Sequence, residues 1–121
     1  MLGQYAKLHV ADNTGALEVR IIQAVSGRKE FVGIGDALTG TVKKSRPDGQ
    51  IKKGQVVQAV VVRQRKPLKR PDGTTIRFSD NACVIIGGDK NPIGTRVMGP
   101  IAREVKDAGY IKIAQLAKEL A

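Results

Sequence analysis

Apolar residues come in short runs of alternating or β-branched character, and Gly, Asn, Asp or Pro interrupts the chain between them. A chain punctuated in this way has to build its core by pairing strands. Lys7-Leu8-His9-Val10-Ala11 alternates and stops at Asp12-Asn13-Thr14-Gly15, where Asn and Gly tolerate positive φ. Leu17, Val19 and Ile21 alternate with Glu18 and Arg20, the pattern of a half-buried strand. Gly33-Ile34-Gly35-Asp36 reads as the turn into a third strand near residues 38–43. A fourth falls within residues 55–65, where Val56-Val57 and Ala59-Val60-Val61-Val62 predict burial on both faces. Residues 75–78 together with 82–86 supply a fifth. Five or six short strands with no helix between them predict a mainly β chain, a small barrel.

The last third changes character. Gly87-Gly88-Asp89-Lys90-Asn91-Pro92-Ile93-Gly94 is loop chemistry. Pro100 can open a short helix running through Arg103 to Lys106, because proline is tolerated in a first helical turn. Ile113, Leu116, Ala117 and Leu120 recur at helical spacing beyond Gly109, and such a stripe is expected to pack on the chain's own barrel. Residues 1–121 are therefore expected to form a single domain, with two short α-helices in a C-terminal segment of about residues 100–121.

Charge narrows the partner. The chain carries 21 Lys and Arg against 11 Asp and Glu, a net charge of +10. Its distribution says more than its total. Residues 1–27 balance two bases against two acids, and residues 79–121 set six bases against five acids. Residues 28–78 hold thirteen bases against Glu30, Asp36, Asp48 and Asp72, leaving +9. Solubility calls for mixed signs, so one concentrated basic field implies an acidic partner, most commonly nucleic acid.

Two repeated turns give this field a shape. Pro47-Asp48-Gly49 and Pro71-Asp72-Gly73 each combine a proline-fixed φ with a glycine free to turn. Lys43, Lys44, Arg46, Lys52 and Lys53 surround the first, and Arg63, Arg65, Lys66, Lys69 and Arg70 precede the second, with Arg77 beyond it. Both are expected to be hairpins carrying charge away from the barrel, and these eleven residues are the candidate nucleic-acid contacts.

Chemistry for catalysis is sparse. His9 sits in an alternating strand, where a surface position is the ordinary reading, and Cys83 lies in an apolar run as an expected buried, inert thiol. One His and one Cys cannot build a usual zinc site, and no phosphate-binding glycine motif is present. No enzyme activity, metal or cofactor is expected. A lone cysteine and the absence of a span-length apolar run predict a soluble chain with no membrane partner.

The class of nucleic acid can also be narrowed. Single-strand binders stack bases on aromatic platforms, and this chain has only Tyr5, Phe31, Phe78 and Tyr110. DNA readers usually insert a helix, and the helices expected here are short and nearly neutral. Recognition of phosphate and shape on folded RNA remains.

The stretch Ala59-Val60-Val61-Val62, nine residues, Asp72-Gly73, four residues, Phe78, two residues, Asn81, two residues, Val84-Ile85 resembles a known signature. It is that of the universal ribosomal protein family of the large subunit's protein number fourteen. Asp12-Asn13-Thr14-Gly15-Ala16, Arg70-Pro71-Asp72-Gly73, Pro92-Ile93-Gly94-Thr95-Arg96 and Gly99-Pro100 are similar as well, and the likeness runs from about Lys7 onward. The resemblance implies a five-stranded barrel with a projecting β-hairpin and a C-terminal loop region bearing two small helices. It implies a structural role in a bacterial or organellar type of large ribosomal subunit, on cytoplasmic or organellar ribosomes. Implied partners are large-subunit rRNA, neighbouring large-subunit proteins and small-subunit rRNA at intersubunit bridges. A ribosome silencing factor is a further implied partner, and Thr95, Arg96 and Lys112 match its contact positions. Three positions depart from the family pattern: Leu17 where many members carry a base, Glu30 where a run of bases commonly leads to the aromatic at Phe31, which weakens Arg28 and Lys29 as contacts, and Met98 in place of a common aromatic.

Overall fold

A computed structural model describes residues 2–3, 6–25 and 31–121. Among the described residues nine strands and two helices follow in order: β1 (Leu2–Gly3), β2 (Lys7–Val10), β3 (Ala16–Ala24), β4 (Phe31–Val32), β5 (Ala37–Ser45), β6 (Val56–Arg63), β7 (Leu68–Lys69), β8 (Thr75–Ile76), β9 (Ala82–Ile86), α1 (Glu104–Asp107) and α2 (Ile111–Leu116). Strands β2-β3-β5-β6-β9 close into a barrel, as the strand pattern and the resemblance both implied. Neighbours pair antiparallel except at the closure, where β9 lies parallel to β2 through His9↔Ala82 and Val10↔Cys83. Closure leaves no open edge among the five barrel strands.

Two apolar clusters explain which strands read as buried on both faces. Leu8, Val19, Ile21, Leu38, Val42, Val57, Ala59, Val61, Cys83 and Ile85 fill the barrel interior. The alternate residues Val60, Val62, Ala82, Val84 and Ile86 point outward and meet Val97, Ile101, Val105, Tyr110 and Ile113 of the C-terminal segment. That segment is thus a second layer laid over β6 and β9. The cover ends before the start of β6, so Val56 is 60% exposed and Gln58 is exposed too. Burial on both faces therefore holds from Ala59 onward and fails at Val56.

Other expectations are corrected by pairing. Residues 75–78 do not join the barrel: β8 pairs with β7 in a separate two-stranded ribbon, and β9 alone is the fifth barrel strand. In β3 the register shifts between Ala16 and Glu18, which stand opposite the adjacent Ser45 and Lys44. This bulge puts Ala16 inside and leaves Leu17 exposed, against simple alternation. The first helix starts at Glu104 rather than near Pro100, because Ile101 bridges Leu120 and the Ala102 N–H donates to the Val62 carbonyl. In α2 the helical stripe ends at Leu116; Ala117 is extended and bridges Val97.

Candidate nucleic-acid interface

The first Pro-Asp-Gly turn does not project on a two-stranded arm. β5 ends at Ser45, and residues 46–55 fold back over the end of the barrel. The Arg46 N–H donates to the Gly15 carbonyl at 2.7 Å, and the Gln50 and Ile51 N–H groups donate to the Thr14 carbonyl at 2.9 and 3.2 Å. Gly15, at φ +99°, lies so close to Gly49 that a Cβ on either would strike the other's backbone. Ile51 is drawn into the barrel interior, anchoring the loop from inside. Lys43, Lys44, Arg46, Lys52 and Lys53 are exposed on and beside this docked loop. Lys52 Nζ donates to the Pro47 carbonyl at 2.8 Å, and Lys44 Nζ, on an exposed side chain, stands 3.7 Å from Oε2 of the partly covered Glu18.

The second turn is a true hairpin. Leu68↔Ile76 and Lys69↔Thr75 pair across it, the Arg70 N–H donates to the Thr74 carbonyl, and Gly73 turns at φ +87°. Asp72 Oδ1 accepts from both the Thr74 N–H and its hydroxyl, and this holds the Asp72 carboxyl below its usual range. Arg65, Lys66, Lys69 and Arg77 are exposed on the ribbon and its base.

The structure divides the arginines of this segment into two kinds. Arg63, its side chain only 13% exposed, has Nε 3.0 Å from Asp80 Oδ1, and its Nη1 donates to the Met98 and Pro100 carbonyls at 3.0 and 3.3 Å. Gly99, at φ +79°, leaves room for this guanidinium; a Cβ there would collide with Nη1. Arg70, 16% exposed, makes a bidentate pair with Glu104 at 2.7 and 2.9 Å and donates to the Ala121 oxygen at 2.8 Å. That pair raises the pKa of Arg70 and lowers that of Glu104, the hydrogen bond being the main cause of each. The Arg70 guanidinium is spent on holding the ribbon against the C-terminal layer, and that of Arg63 on holding the end of β6 against it. Sequence reasoning missed their partners Asp80 and Glu104, which sit in the nearly neutral last third with no spacing to mark them.

The remaining candidates form two groups at opposite ends of β6. Lys43, Lys44, Arg46, Lys52 and Lys53 precede the strand, and Arg65, Lys66, Lys69 and Arg77 follow it. At about 3.3 Å per residue, eight residues of strand hold these ends roughly 23 Å apart. Arg28 and Lys29 lie outside the described residues.

Thr95 and Lys112 line one groove of about 280 Å³ with Leu116, and Arg96 lines a larger one that shares Leu116. Asn13 fixes the loop beside them: its Oδ1 accepts from the Thr95 and Arg96 N–H groups at 2.8 and 3.1 Å, and its Nδ2 donates to the Thr95 hydroxyl at 2.8 Å. His9 is exposed, with Nδ1 3.7 Å from Asp80 Oδ2, and Cys83 is fully buried, which pushes its thiol pKa up. Among the described residues no group of three or more His, Cys, Asp or Glu could hold a metal, and no helix is long and apolar enough to cross a membrane. In comparison with known protein families, the model described as ribosomal protein L14p/L23e matches residues 1–121.

Proposed function

Because the chain belongs to the ribosomal protein L14p/L23e family, structural proteins of the large ribosomal subunit, we propose that it grips folded large-subunit rRNA at two separate basic sites without catalysing a reaction. One site is the docked loop with Lys43, Lys44, Arg46, Lys52 and Lys53; the other is the ribbon and its base with Arg65, Lys66, Lys69 and Arg77. Arg63 and Arg70 serve this grip from behind, by fastening the end of β6 and the ribbon to the C-terminal layer. The observation that carries the reading is the placement of nine exposed bases, five beside the start of β6 and four beyond its end, on two surfaces that a rigid strand holds apart. Lys and Arg neutralise phosphate and release counterions, so affinity should fall steeply with salt. If five or six of these bases touch phosphate, the slope of log affinity against log salt is about −4 to −6.

Filter binding of the protein to large-subunit rRNA fragments over a salt series tests this. A slope near −1 would overturn it. Reversing Lys52 and Lys53 to Glu should weaken binding far more than reversing Lys106 and Lys118, which are exposed on the C-terminal layer. Equal losses would mean that total charge matters and its placement does not.

The C-terminal layer supports a second role, contact with proteins and with the small subunit's rRNA at bridges. Thr95, Arg96 and Lys112 stand around adjoining grooves with exposed Met98 and Ile111 nearby in sequence, a mixed polar and apolar surface suited to a protein such as a silencing factor.

A further inference from the structure

An open cleft of about 540 Å³ lies at the base of the ribbon, lined by Arg65, Arg77, Phe78 and Ser79. Its size falls within the range of roughly 300–1,000 Å³ typical of small-ligand sites. Its walls are fixed by the backbone. The Phe78 N–H donates to the Gln64 carbonyl at 3.0 Å, and the Arg65 N–H donates to Asn81 Oδ1 at 2.8 Å. Gln64 is itself buried, with Oε1 accepting from the Ile34 N–H and Nε2 donating to the Lys66 carbonyl. The cleft is therefore held on an anchored frame rather than on a free loop.

Its chemistry is specific. Of the four arginines numbered 63, 65, 70 and 77, two are pinned by Asp80 and Glu104. Among the described residues the guanidiniums of the other two have no partner, and both reach the cleft that contains Phe78. Two unpaired guanidiniums beside one half-buried ring match a phosphate joined to a flat aromatic ring. A paired RNA helix cannot offer that combination, because its bases are stacked inside; a bulged or looped nucleotide can.

We propose that this cleft receives a single unpaired nucleotide of the bound RNA, its base stacked on Phe78 and its phosphate held by Arg65 and Arg77. The inference rests on the rRNA reading and sharpens it: the ribbon end reads an extruded nucleotide, while the docked loop tracks phosphate alone.

The chain contains no tryptophan, so Phe78→Trp places its one tryptophan in the cleft, excited selectively beyond the absorption of Tyr5 and Tyr110, while keeping an aromatic platform. Titrating this variant with large-subunit rRNA should quench its emission, with affinity close to that of the parent. Phe78→Leu should lose about tenfold in affinity with the salt slope unchanged, because stacking carries no counterion release. Arg65→Gln and Arg77→Gln should each reduce the slope by about one and, in the Phe78→Trp background, diminish the quench. Tight binding of rRNA by Phe78→Trp with unaltered emission would overturn the proposal, as would parental affinity in Phe78→Leu. Equal quenching by free AMP or UMP at matched concentration would also overturn it, assigning the cleft to a free nucleotide. A parent protein with a salt slope near −1 reports a different failure, that of the rRNA reading beneath it.

Discussion

Asp12 shows how one side chain can complete a barrel. Strand β2 ends at Val10, yet β9 continues to Ile86, so the Ile85 N–H has no strand opposite it on that side. Asp12 Oδ2 accepts from that N–H at 3.0 Å, while Oδ1 accepts from the Thr14 N–H and hydroxyl at 3.2 and 2.7 Å. The residue is only 5% exposed, and burial raises its pKa against the lowering effect of these three bonds. Asp12→Ala should cost about 2–4 kcal/mol in urea denaturation, since buried donors lose their acceptor. A raised folded pKa means that the Asp12 contribution is complete below the unfolded value and declines as pH rises through the folded one. The cost of Asp12→Ala should thus be larger near pH 3.5 than at pH 7. The sequence marked Asp12-Asn13-Thr14-Gly15 as a turn, but a turn pattern does not show that its first carboxylate reaches a strand 73 positions away.

At the scale of elements, the ribbon and the C-terminal layer are fastened to each other. Arg70 ties β7 to α1 and to the chain's last residue, and Arg63 ties the end of β6 to residues 98 and 100. A bulge between Val61 and Arg63 breaks the alternation just where β6 hands over to the ribbon. Glu104 has a lowered pKa, so its contribution is present above the unfolded value of about 4.3 and is lost as pH falls through the folded one. Glu104→Gln should therefore cost about 1 kcal/mol at pH 7, the upper range for a partly exposed bidentate pair, and almost nothing in strong acid. Denaturation at the two pH values checks this; a cost that persists in acid would mean that packing rather than charge holds the latch. Elements whose signal was local were legible in advance, including β2, β3, β5, β6 and the β7–β8 turn, whereas β9 was read as one strand with residues 75–78. The first Pro-Asp-Gly turn was read as the same kind of arm, because Thr14 and Gly15, the groups that dock it, are distant in sequence.

The molecule as a whole acts as a spacer between surfaces. A closed barrel packed on both sides of β6 and β9 resists bending, so the basic loop and the basic ribbon stay about 23 Å apart. Substitutions at sites that far apart should add. Lys52→Glu with Lys53→Glu at one end and Arg65→Glu with Arg77→Glu at the other should lower log affinity for rRNA by the sum of their separate effects. An rRNA footprint should correspondingly show two protected patches, each relieved by one pair. Strong non-additivity in binding, or one continuous patch relieved by either pair, would show that the two ends serve a single site.

By itself the sequence determined the class of the fold, the placement of charge and the family. Each of these is written in neighbours: alternation at period two, turn residues between strands, and bases clustered in residues 28–78. Only the tertiary structure decided which bases are available. Arg63 and Arg65 are two positions apart and chemically identical, yet one is clamped by Asp80 while the other faces an open cleft. A charge is free or spent according to which carboxylates and carbonyls the folded chain brings within hydrogen-bond range, and those partners lie 17 to 51 residues away. Local pattern carries no record of such distances, because packing and register set them.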